Sequence, residues 1–171
     1  MYLSTLSLLS LAGFALLSGA AAVRDIRTTT IPNGVILMLL AGYLLVAAAS
    51  GWTRDEITNS LIAAAMVFFT GLMLNAMGWL PWQRGTQLVK FAAVCCLWLG
   101  APLAVTLMGL SALIAVTSAI LLLCLPQIPA QRTNNQRAWP DTARRQIPAG
   151  FAVAAAAVLL LPASPWVMSV S

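Results

Sequence analysis

Apolar residues in this chain fall into long blocks, without the two-residue alternation of a half-buried strand or the single apolar stripe of a surface helix. Residues 2–23, YLSTLSLLSLAGFALLSGAAAV, carry no charge at all. Further blocks run from about Gly34 to Ser50, from about Ser60 to Leu80, from near Leu88 to the Gly100/Pro102 pair, on to Leu125, and from about Pro148 to Val167. Several reach or approach the roughly 20 residues that carry a helix across a bilayer. Polar punctuation separates them: Pro32, then GWTRDEITN, then LPWQRGTQLVK, read as a loop, and the long stretch 126–147. The fourth block is short, and its helix is expected to begin partly embedded, with Lys90 snorkelling to the interface. The pattern predicts an all-α polytopic bundle of about six transmembrane helices, forming a single domain over residues 1–171.

Charge orients the bundle. With the N-terminus outside, the inner loops hold Arg24, Arg27, Arg84, Lys90, Arg132, Arg137, Arg144 and Arg145, and the outer loops hold only Arg54. Eight against one satisfies the positive-inside rule, and merging the blocks around Gly100 would destroy the asymmetry. The small residues ending the first block mimic a signal-peptide cleavage site. However, no Lys or Arg precedes that block, and Arg24 and Arg27 follow it, so an uncleaved helix is expected. Trp52, Trp79, Trp82, Trp98, Trp139 and Trp166 lie mostly near block ends, as an interfacial aromatic belt predicts. Gly13, Gly19, Ala20 and Ala21 are small enough to allow close helix approach.

Composition removes several kinds of chemistry. The 171 residues are 61% hydrophobic and 8% charged, and none is histidine. Histidine metal sites and His-dependent triads are therefore excluded. Cys95, Cys96 and Cys124 sit inside apolar blocks without paired spacing and read as buried thiols. No metal and no cofactor are expected. The net charge of +5 is confined to short loops, with no basic run interleaved with aromatics, so nucleic acid is not an expected partner. The expected surroundings are a lipid bilayer.

Of the four carboxylates, Asp25 lies hard against the first block, in VRDIRTTTIPNG. On residue chemistry alone, Asp25 is either an interfacial acid paired with Arg24 or Arg27, or a functional group. The sequence after it favours the second. An Asp followed by I-P-N after one transmembrane helix resembles the first catalytic motif of the prepilin peptidases. NAMGWLP and the later KFAAVCCLWLG resemble that family's third and fourth helices, and RRQIPAGFAVAAAAVLLLP with SPW resembles the last helix of the short members serving Flp/Tad-type pili. The resemblance implies an aspartic endopeptidase of the bacterial inner membrane that cleaves the leaders of prepilin-like substrates at the cytoplasmic face. It also implies Pro32 and Asn33 as residues supporting the Asp25 motif. The short form lacks the N-terminal methyltransferase region, so no N-methylation is expected.

Such chemistry needs two carboxylates sharing a proton, one acting as acid and the other as base. By resemblance the second belongs to a Gly-x-Gly-Asp-x-Lys element. Here that element aligns with Gly85-Thr86-Gln87-Leu88-Val89-Lys90: Gly85 and Lys90 fit, and Leu88 occupies the acid position. A register shift of one puts Gln87 or Val89 there instead. No carboxylate lies between Glu56 and Asp141 in any register. Asp55 and Glu56 fall on the outer side as loop residues, whereas Asp141, on the inner side, is a substitute candidate or a surface residue beside Arg144 and Arg145. The expected function is thus a prepilin peptidase homologue with Asp25 and without its partner. The alternative is a catalytically inactive homologue that binds prepilin or supports pilus assembly. A transporter is disfavoured, since no block carries a mid-membrane charge or a paired broken helix.

Overall fold

A backbone in hydrocarbon finds no water for its N–H and C=O groups, so long apolar blocks satisfy them internally as helices. The computed structural model describes residues 2–28, 30–49, 52–78, 82–124 and 149–164. Among these, every regular element is helical: α1 (Tyr2–Thr28), α2 (Asn33–Ala49), α3 (Arg54–Ala76), α4 (Trp82–Leu99), α5 (Ala101–Cys124) and α6 (Ala149–Leu160), with a 3₁₀ turn over Leu161–Ala163. Three stretches, Leu9–Thr28, Arg54–Ala76 and Ala101–Leu121, are long and apolar enough to cross a membrane, while α2, residues 85–99 of α4, and α6 are shorter apolar helices. Many large side chains on the outer surface are apolar, including Leu16, Leu45, Met66 and Val105. An apolar exterior suits lipid, and the chain is a membrane protein.

The helix ends differ from the expected ones for local reasons. Helix α1 continues to Thr28, whose hydroxyl bonds the Arg24 carbonyl at 2.9 Å, so Asp25 lies within the helix. Helix α3 begins at Arg54, not near Ser60, because Thr53 caps it. The Thr53 hydroxyl accepts from the Glu56 N–H at 3.3 Å, and the Glu56 carboxylate accepts from the Thr53 N–H at 2.9 Å. This reciprocal capping box satisfies two otherwise orphaned donors. Asp55 and Glu56 are therefore first-turn residues, not loop residues. Helix α4 begins at Trp82, so the supposed loop over residues 80–90 is mostly helix, and Gly85 is buried inside it. Helix α6 is shorter than expected, at 12 residues. The turn at Gly100 is as anticipated: φ is +77°, which glycine adopts without steric cost.

Helix α4 is the hub, packing against α2, α3, α5 and α6. Residues 91–99 are buried all round, Cys95 and Cys96 among them as free thiols. Trp98 does not join an interfacial belt. It is buried, donates Nε1–H to the Leu39 carbonyl at 2.9 Å, and stacks at a tilt on Phe14 with centroids 5.1 Å apart. A buried indole needs such a partner for its N–H, which lets it serve as core. Close helix approach is not mediated by Gly13 or Gly19, where an added Cβ would meet nothing within 4 Å. It occurs at Gly71, where that atom would lie 2.6 Å from Val89 Cγ2.

Candidate functional site

Asp25 is 6% exposed, where most aspartates are solvated. An ionisable group removed from water requires partners, and α6 supplies one. Asp25 Oδ2 accepts a hydrogen bond from the backbone N–H of Phe151 at 3.1 Å. Phe151 lies in the first turn of α6, where helical N–H groups have no partner within their own helix. The acid of α1 thus caps a helix that follows it by more than a hundred residues. Close approach requires Gly150: a Cβ there would stand 2.9 Å from Asp25 Cγ and 2.8 Å from Ile31 Cδ1.

Ile31 joins the third side of this site. It belongs to the short connection between α1 and α2, is 3% exposed, and its N–H bonds Gln87 Oε1 at 3.2 Å. The next residue, Pro32, ends the connection by accepting the Val35 N–H at 3.0 Å, which sets the first turn of α2. Asn33 opens that helix and is exposed. Four segments therefore meet at one end of the bundle: the end of α1 with Asp25, the Ile31–Pro32 connection, the start of α4 with Gln87, and the start of α6 with Gly150 and Phe151.

Helix geometry separates the roles of successive residues in α4, since each position turns the side chain by about 100°. Thr86 accepts from Asn75 Nδ2 of α3 at 3.3 Å, and Val89, three residues on, packs against Gly71 of the same helix. Gln87 faces the Ile31 connection, and Leu88 is half-buried against the apolar core. Lys90 is half-buried and lies three residues beyond Gln87, on the same side of α4. Asp141 lies outside the described residues.

The model of the type IV leader peptidase family matches residues 12–125, well over half of the chain. The chain belongs to the type IV leader peptidase family. Membership supports a prepilin peptidase-like function in general, with prepilins as the class of substrate. No curated protein and no solved structure matches the chain. The family match covers Asp25, the I-P-N connection and all of α4, and ends before α6, although α6 provides the described hydrogen-bond donor to Asp25.

Sequence reasoning points to Asp25 but not to Ile31, Gly150 or the Phe151 N–H that surround it in the structure. Gln87 enters that reasoning only as a register alternative at the acid position. A signal for Gly150 is present in the sequence: glycine is a weaker helix former than the alanines that follow it, which points to a separate demand at that position. That demand is the Asp25 carboxyl group. No sequence pattern announces the Phe151 contact, because it is made by the backbone.

Proposed function

We propose that this chain is a short prepilin peptidase homologue of the Flp/Tad-pilus type, a single domain spanning the bacterial inner membrane several times with its N-terminus outside. It receives the leader of a prepilin at the cytoplasmic end, where Asp25 serves as the acid of the site. The observation that carries this reading is the burial of Asp25 against the first turn of α6, beside an I-P-N connection that is itself bonded to α4, within a chain of the leader peptidase family. A surface acid of no consequence would not be desolvated and fitted to a glycine.

Aspartic proteolysis requires a second carboxyl group, and Leu88 stands where the resemblance places it. Losing one half of an acid/base pair forfeits about 10²–10⁴ in rate, and more where both roles are indispensable. The chain alone is therefore expected to release little or no leader. A second reading is favoured by one feature, the absence of any carboxylate between Glu56 and Asp141. In it, the protein binds prepilin or supports pilus assembly without cleaving.

Leader release from a cognate prepilin by the purified protein in lipid, followed by mass spectrometry, separates the two. Little or no release by the unaltered chain and a gain of release by Leu88→Asp identify a scaffold that lacks one acid. Release that depends on both Asp25 and Asp141, abolished by either Asp→Asn change, assigns Asp141 as the second acid. Release that survives Asp25→Asn overturns the role of Asp25. Binding without release in every variant supports the non-enzymatic reading.

A further inference from the structure

Ile31 is buried, and a buried backbone N–H left without a partner costs about as much as a lost hydrogen bond. Its partner comes from a side chain 56 positions later, Gln87 Oε1 at 3.2 Å. Ile31 in turn forms a wall of the Asp25 site. Its Cδ1 and the Asp25 carboxyl carbon converge on Gly150, at 2.8 and 2.9 Å from where a Cβ would stand. Displacing Ile31 thus releases one of the groups packed against the first turn of α6, and the Phe151 N–H on Asp25 belongs to that same turn. The residues flanking Gln87 in α4 serve other contacts: Thr86 and Val89 face α3, and Leu88 enters the apolar core. A half-buried amide among them is costly unless it is hydrogen-bonded.

We propose that Gln87 is the positioning residue of the Asp25 site: its amide oxygen fastens the Ile31 backbone of α1–α2 to α4 and so fixes the wall against which Asp25 and the first turn of α6 are set. The donor is a backbone N–H, so the amide must present its oxygen to Ile31 and turn its NH₂ group away. The contact needs an acceptor at the end of a two-methylene stem. Glutamate keeps that acceptor, whereas leucine and methionine keep only the bulk. The importance of this placement for prepilin rests on the functional reading above, but the placement itself does not.

The test uses the full-length protein in lipid nanodiscs and no prepilin, so it is decided separately from the peptidase reading. Two quantities are read by mass spectrometry: hydrogen–deuterium exchange of the segment containing Ile31, and the rate of carbodiimide-driven amidation of Asp25. Exposed Asp55 serves as the internal control. Gln87→Leu is expected to raise both Ile31 exchange and Asp25 labelling about tenfold, equivalent to about 1.4 kcal/mol, with Asp55 labelling unchanged. Gln87→Glu is expected to return Ile31 exchange to within about twofold of the unaltered protein, a rescue that side-chain bulk alone does not give; Asp25 labelling is not compared in this variant, because the added carboxylate itself alters the reactivity of Asp25. Asp25 labelling that stays within twofold in Gln87→Leu overturns the proposal. So does a parallel rise in exchange over the buried residues 91–99, which marks general loosening, or a failure of Gln87→Glu to restore Ile31 exchange. Should Gln87→Leu not fold, Gln87→Met is read in the same way, and failure of both to fold overturns the proposal by showing that Gln87 holds the fold and not the site.

Discussion

At Asp25 one carboxylate serves two helices. It lies within α1 and accepts the Phe151 N–H of α6, so it acts as an N-cap supplied by a different segment of chain. A cap residue replaced by alanine costs about 0.5–2 kcal/mol, and an unsatisfied buried donor pushes the value toward the upper end. Asp25→Ala is therefore expected to destabilise the protein by about 1–2 kcal/mol, read as a lower unfolding midpoint in detergent. Asp25→Asn keeps a carbonyl acceptor of the same shape and is expected to lose less than half of that. Equal losses in the two variants would show that charge matters more than the hydrogen bond. Gly150→Ala probes the same contact from the other side. Its gain in helix propensity, about 1 kcal/mol, is opposed by a Cβ pressed to 2.8–2.9 Å against Ile31 and Asp25. Overpacking of this kind costs about 1–3 kcal/mol. The clash is expected to win, and a stabilised Gly150→Ala protein would show that the first turn of α6 moves aside freely.

At the scale of elements, the α3–α4 pair is set by Gly71 against Val89. Val89 is β-branched and essentially confined to one χ1 rotamer in a helix, so it cannot swing away from an added methyl group. Gly71→Ala is expected to destabilise by about 1–3 kcal/mol despite its better helix propensity. Val89→Ala in the same chain is expected to recover most of that loss, a coupling measurable as a double-mutant cycle. Additive losses would place the strain elsewhere. This contact also shows where the sequence was readable. Six helices, the Gly100 turn and the burial of Cys95 and Cys96 follow from block length, Gly/Pro punctuation and composition. The contacting glycines do not, because blocks that are apolar on every side give no indication of which face meets protein and which meets lipid. The start of α4 is hidden in the sequence for a related reason. Gln83, Arg84, Gly85, Thr86 and Gln87 look like loop composition, yet their helix is secured by tertiary contacts, Thr86 to Asn75 and Gln87 to Ile31. Asp25 was legible from its motif, and its hydrogen-bond partner was not, since any residue type offers a backbone N–H.

For the whole molecule, the decisive quantity is which end of the bundle faces the cytoplasm. The Asp25 end carries Arg24, Arg27 and the start of α4, and the opposite end begins α3 at Arg54. Moving one positive charge against a membrane potential costs about 2.3 kcal/mol per 100 mV. The charge asymmetry therefore favours an Asp25 end inside, where a prepilin leader would be met. A single cysteine at either end tests this. Cys95 and Cys96 are fully buried and form a quiet background, and Cys124 is replaced by alanine. Thr30→Cys and Asp55→Cys then report the two ends through exposed positions. In intact cells stripped of their outer membrane, an impermeant maleimide is expected to label Asp55→Cys at once and Thr30→Cys only after the inner membrane is opened. The reverse pattern would turn the Asp25 site away from the cytoplasm and remove the ground for a prepilin leader reaching it from that side. Loss of an acid at position 55 does not confound the reading, because orientation responds to Lys and Arg near the spans and little to Asp or Glu.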